Sequence, residues 1–265
     1  MSKFVVTTFD SEAKAYEGTR ALKELHSEGN ITLYGMVVVT KDAGGKLSVQ
    51  EGTDELTGTA VGSLVGVLVG LFGGPAGVVV GLTTGMLLGG ISDLLNVGVG
   101  AEFLDKVSRG LAPGKAAVIA EVDEDWVTPL NTRMEAIGGS IVREWRSDFE
   151  ETEIAKASAA NKAELAQLKA ELAQSGAEAK AKLQKRVNEV RAKLDELSSQ
   201  AHTKLQKLEK DTNAKISALN DQIAKANAEN KARIKERLVE LRADHDRRAA
   251  KLKEAGALIK EALAA

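Results

Sequence analysis

The sequence predicts an α+β protein: a ferredoxin-like α/β domain, a glycine-zipper helical hairpin inserted into it, and a long C-terminal helix with an eleven-residue coiled-coil repeat. Three observations carry this. Short β-branched stretches alternate with amphipathic ones over residues 1–56 and 99–148. Residues 57–98 are apolar and glycine-laddered. Residues 149–265 are rich in Ala, Lys, Glu and Leu, with no aromatic after Phe149 and only Gly176 and Gly256 as glycines.

The first domain reads element by element. Lys3–Phe9 is β-branched and aromatic, a strand. Asp10-Ser11 caps a helix carrying Ala15, Leu22 and Leu25, which Gly29-Asn30 ends. Ile31–Thr40 is a second strand, Lys41–Lys46 a turn, and Leu47–Glu51 a third strand. Beyond the apolar stretch, Ala101–Arg109 forms a short helix with Phe103, Leu104 and Val107 on one side, closed by Gly110 and Pro113-Gly114. Lys115–Val122 is a strand, Glu124–Ile137 a helix and Ser140–Trp145 a last strand. The order is β-α-β-β-α-β followed by α-β, a ferredoxin-like order with one extra unit. The acidic run Asp123, Glu124 and Asp125 reads as a cap for the helix it precedes.

Between Glu55 and Asp93 there is no charged residue, and Phe72-Gly73-Gly74-Pro75 divides the run into two helical arms. At the usual helical rise the arms, Thr57–Leu71 and Ala76–Leu95, would be about 23 and 30 Å long, the second matching a bilayer's hydrocarbon core. Glycine recurs at every fourth residue: Gly58, Gly62, Gly66 and Gly70, then Gly77, Gly81, Gly85 and Gly89. Each helical glycine costs about 1 kcal/mol relative to alanine, so eight cost roughly as much as a whole domain's net stability. Close approach of a second helix along the glycine face would offset that cost. Both ends of the hairpin must return to one side for the flanking strands to join one sheet. Burial in lipid and burial in protein both remain open.

The tail's apolar residues recur at intervals of eleven. One series is Leu172, Leu183, Leu194, Leu205, Ile216 and Leu238; a second includes Val190, Ile223 and Ile234; a third is Leu197, Leu208, Leu219, Leu241 and Leu252. Eleven residues in three turns favours straight or slightly right-handed packing, and the seam needs neighbouring helices. Thr212, Asn227, Asn230 and His245 interrupt it, as residues that set register do. The tail is one helix unless it folds back at Ser175-Gly176.

Several chemistries are missing. The chain has no cysteine, so it has no disulfide and no thiolate nucleophile or ligand. Its histidines, His26, His202 and His245, lack metal-ligand spacing, and the glycine ladder lacks the Lys of a phosphate loop. No catalytic, cofactor or metal residue is assigned, so a non-enzymatic protein is expected. The net charge of −2 and a mildly basic tail give no electrostatic footprint for nucleic acid. No secretory signal is read at the N-terminus, which places the folded part in the cytoplasm.

Lys3–Phe9, the stretch Gly58–Gly90 with Phe72-Gly73-Gly74-Pro75 at its turn, and Lys115–Val122 together resemble a poorly characterised bacterial family described as membrane proteins of unknown function. The resemblance covers roughly the first 150 residues and implies a small α/β domain interrupted by a glycine-rich hairpin. It brings no catalytic residues, and the tail has no counterpart in it. The expected role is a homo-oligomeric scaffold at the cytoplasmic face of a bacterial inner membrane. Hairpins would pack in or on the lipid through residues 57–98, and tails would bundle into a barrel or stalk. A glycine-zipper pore and a soluble shell, ring or filament are the alternatives.

Overall fold

The computed structural model describes residues 2–45, 47–51, 101–146 and 148–264. The glycine ladder at Gly58, Gly62, Gly66, Gly70, Gly77, Gly81, Gly85 and Gly89 therefore lies outside the described residues. Among those described, the elements run β1 (Lys3–Phe9), α1 (Glu12–Ser27), β2 (Ile31–Lys41), β3 (Leu47–Glu51), α2 (Ala101–Gly110), β4 (Ala116–Glu124), α3 (Thr128–Ala136), β5 (Ser140–Trp145), α4 (Phe149–Gln174), α5 (Ala177–Lys225) and α6 (Ala228–Ala264). The protein is α+β. Its chain divides into two compact units, one of residues 1–147 with 211–241 and one of 148–210 with 242–265.

In the first unit the five strands form one antiparallel sheet in the order β3-β2-β4-β1-β5. β1 lies between β4 and β5, while β3 joins β2 at the edge. The strands alternate two apolar sets, one for each face. Val5, Phe9, Leu33, Met36, Val38, Val118 and Ala120 meet Ala15, Leu22 and Leu25 of α1 and Leu130 and Met134 of α3. Phe4, Val6, Val37, Val39, Ala117 and Ile119 meet Phe103, Leu104 and Val107 of α2.

The helix α1 starts where Ser11 accepts a hydrogen bond from the Lys14 amide at 3.3 Å. It ends as the amides of Gly29 and Asn30 bond back to His26 and Leu25. Gly29 holds φ +75°, and a β-carbon there would lie 2.8 Å from the side chain of Asn230 on α6. Glycine is needed at this position for both reasons.

The acidic run does not cap α3, as the sequence suggests. The helix begins at Thr128 with Val127 in the cap position and no side-chain cap bond, while Asp123 and Glu124 belong to β4. A strand extended by two residues brings Glu124 to Lys3 and Arg143, and Asp123 to the Tyr34 hydroxyl.

The tail breaks twice. The break at Ser175-Gly176 was one the sequence left open; the second, at Ala226-Asn227, was not foreseen. There the Asn227 side chain accepts the amide of Asn230 at 2.9 Å, the local bond that starts a helix. Gly256 lies within α6 and breaks nothing.

In the second unit, α4 and the parts of α5 and α6 within it form a three-helix core. Leu165, Val187, Val190, Leu194, Ile259 and Ala262 make one cluster; Ile154, Ala201, Leu208, Ala249, Leu252 and Ala255 make another. Paired charges lie beside them, with Arg248 and Glu151 buried. Arg248 bonds Glu151 (3.0 Å from Nε), and Lys251 bonds Asp148 at 2.7 Å and Thr152 at 2.9 Å. Among the described residues no helix is long and apolar enough to cross a membrane.

Candidate functional site: a buried polar clasp on the sheet

The most chemically loaded place in the first unit is where residues 211–241, the end of α5 and the start of α6, lie on the sheet. A β-bulge at Leu33/Gly35 leaves Tyr34 as the extra residue of β2. Tyr34 turns into the cluster of Leu219, Ile234 and Leu241. Gly35 pairs with Glu121 and adds no side chain beside it.

Glu121 is only 1 % exposed, yet its carboxylate is met by Lys215 of α5, by Arg146 (3.4 Å) and by the Ser2 hydroxyl (2.8 Å). Lys215 also donates to Ser2 Oγ at 2.9 Å and lies 4.9 Å above the Tyr34 ring. Arg146 continues to Asp211 at 3.2 Å, and the Tyr34 hydroxyl donates to Asp123 at 2.6 Å. Burial by itself would raise the Glu121 carboxyl; the Lys215 and Arg146 charges and the hydrogen bonds outweigh it and hold the group at about 2. Burial pulls the Lys215 ammonium below the ordinary lysine range, against the attraction of Glu121. Burial also raises the Tyr34 phenol, and neighbouring Asp123 adds to this.

A second group of contacts fastens the start of α6. Arg237 donates to Asp125 at 2.7 Å, to Thr32 at 3.0 Å and to the Asn30 carbonyl at 3.2 Å. Gln222 spans the turn, donating to the carbonyls of His26 (2.7 Å) and Ile31 (2.8 Å) and accepting from Thr32 at 2.7 Å. Asn230 donates to the Glu28 carbonyl at 2.7 Å. On the opposite face of the sheet, Glu124 holds Lys3 (3.3 Å) and Arg143 (2.6 Å).

His26 belongs to the same end. The Leu33 amide donates to its Nδ1 at 3.2 Å, so that nitrogen carries no proton. Burial lowers the imidazole first, and Lys225 and Arg237 lower it further. A histidine so depressed keeps its stabilising neutral form above the ordinary value of 6.5, and that stability is lost as pH falls below 6.5 through the lowered folded value. Glu121 acts in a separate window, losing its contribution only as pH falls from 4.5 towards about 2. Urea midpoints should therefore fall between pH 8 and pH 5.5 in the native chain. His26→Gln should flatten that dependence, and an unchanged slope in this variant would assign the effect elsewhere.

Chemically this arrangement can hold a helix against a sheet in one register. The Lys215 ammonium is occupied by Ser2, Glu121 and the Tyr34 ring. Among the described residues no cluster of His, Cys, Asp and Glu is set to hold a metal.

The residues of the sequence-read seam fall in both units. Val190, Leu194, Leu208 and Leu252 are buried in the second, where Leu172, Leu183, Leu197 and Leu205 are half-buried. Leu219, Ile234 and Leu241 are buried in the first, with Ile216, Ile223 and Leu238 half-buried beside them. The polar interruptions take up particular bonds: Asn227 starts α6 and Asn230 reaches α1. The clasp itself was not read from the sequence. The acidic run Asp123, Glu124 and Asp125, which by sequence suggests a helix cap, was its one visible signal.

A family match begins at the apolar stretch and runs through α2, β4, α3 and β5 into α4. Residues 57–159 match a family of proteins of unknown function, DUF1269. The match thus supports membership of a poorly characterised family over less than half of the chain, and it leaves β1 to β3 and most of the helical tail outside. No curated protein and no solved structure matches.

Proposed function

We propose that the protein is a non-enzymatic scaffold that presents the apolar, glycine-rich segment 57–98 from a rigid α/β platform to a membrane, where copies pack through their glycine faces. The observation that carries this reading is where the segment's flanks are held. Leu47 and Val49 of β3, just before it, and Phe103, Leu104 and Val107 of α2, just after it, pack into one apolar cluster on one face of the sheet. The described flanks of the segment without charge from residue 56 to 92 thus share one core. A hairpin inserted from one side of a bilayer meets that requirement, and four-residue glycine spacing suits close helix packing in lipid. The tail supports a platform role, since much of its apolar stripe packs within the chain, which leaves the glycine segment as the main surface for oligomer formation. A ferredoxin-like reading of the platform is supported by the order β2-β4-β1-β5 with α1 and α3 on one face; β3 with α2 is then the inserted unit, in place of the terminal α-β.

Flotation with phosphatidylcholine vesicles tests this. The full chain is expected to float as an oligomer, and a chain with 57–98 replaced by a Gly-Ser linker to stay at the bottom with its folded spectrum intact. A full chain that stays at the bottom as a monomer would overturn the proposal. One that stays there as a large particle would select the soluble shell or filament instead.

A further inference from the structure

We infer that the end of the sheet bearing Trp126, Val127 and Trp145 is a docking surface for a phospholipid bilayer; this rests on the membrane reading of residues 57–98. The chain's two tryptophans are 64 % and 56 % exposed, and Val127 is 45 % exposed. Tryptophan is costly to leave in water, and its amphipathic ring suits the level of lipid headgroups.

The register places both rings at one end. Trp145 pairs with Lys3, Lys3 with Val122, and Ile31 with Glu124, two residues before Trp126. The flanks of the apolar segment point to that same end. β3 runs from Leu47, opposite Lys41, to Glu51, opposite Val37, and so heads towards the Ile31 end. The helix α2 finishes with Gly110 against Thr8, at the far end of β1. Four residues back, Lys106 is held up first by Glu102 and also by the charge of Glu144, which pairs with Phe4. Ala101 therefore lies further still towards Lys3 and Trp145. A bilayer receiving the segment would thus approach the end of the sheet that carries the tryptophans.

The surrounding charges decide the lipid chemistry. Lys3 and Arg143 are taken up by Glu124, Arg146 by Glu121 and Asp211, and Arg237 by Asp125; Arg233 lies over the Trp126 ring at 5.8 Å. With these cations committed inside the protein, their attraction to anionic headgroups is weakened. Insertion of aromatic rings into a zwitterionic surface remains.

The test uses the full chain with phosphatidylcholine vesicles, plain and brominated in the acyl chains, together with the single-tryptophan variants Trp126→Phe and Trp145→Phe. Emission from both variants should move to shorter wavelength on plain vesicles and lose intensity on brominated ones. Flotation with unshifted, unquenched emission would overturn this inference and leave the membrane reading standing. Absence of flotation would overturn both. A shift to shorter wavelength without bromine quenching would mean that a second copy covers the rings, and would overturn it too.

Discussion

Glu121→Ala is expected to be the most damaging single change in the first unit, lowering its stability by about 3–5 kcal/mol, because it strands two buried cations. Lys215 is 7 % exposed and the side chain of Arg146 12 % exposed, and both rely on the one carboxylate. Arg146 keeps Asp211 as a partner, whereas Lys215 keeps only the Ser2 hydroxyl and the Tyr34 ring as contacts. Removing both members of the pair separates the cost of a stranded charge from the cost of losing the clasp. Glu121→Leu with Lys215→Leu should recover most of the loss, since buried ion pairs are often replaceable by apolar groups of similar volume. Both tryptophans lie in this unit, so urea unfolding followed by their emission reads the change directly. A single variant within about 0.5 kcal/mol of the native chain would show that the pair carries no structural load.

Leu194→Ala should cost about 2–5 kcal/mol in the second unit, the usual range for a leucine-sized cavity in a closed core. Leu194 is 0 % exposed, and its cluster draws on three helices of the same chain: Leu165 from α4, Val187 and Val190 from α5, and Ile259 and Ala262 from α6. The expected signature is a lower helix-unfolding midpoint by circular dichroism with no change in native mass. A change in assembly size at unchanged thermal stability would instead return this seam to contacts between copies. The prediction matters because the same leucines, spaced at eleven, were first read as a surface for bundling separate tails.

The elements of the sheet domain were legible because their signals are local. β-branched runs mark Lys3–Phe9 and Ile31–Lys41, Ser11 marks the start of α1, and Gly29 its end. The apolar spacing of the tail was legible for the same reason: periodicity is written into neighbouring residues. Chain breaks were harder to see. Asn227 was read as a polar interruption of a stripe, but its side chain starts a new helix, and a single asparagine serves either purpose.

Long-range pairing lay beyond the sequence. Nothing local distinguishes Glu121, bonded to Lys215 across 94 positions, from the chain's surface acids. Nothing local says that Asp125 waits for Arg237. By itself the sequence determined where the strands and helices of the sheet domain lie to within a few residues, which residues are apolar, and that residues 56–92 carry no charge, since each follows from side-chain chemistry and near-neighbour spacing. Tertiary structure alone decided which cation meets which carboxylate, that β3 lies at the sheet edge, and that much of the tail's stripe packs within its own chain. Those outcomes depend on where distant segments are brought together, and one helical stripe serves equally well for an intramolecular or an intermolecular neighbour.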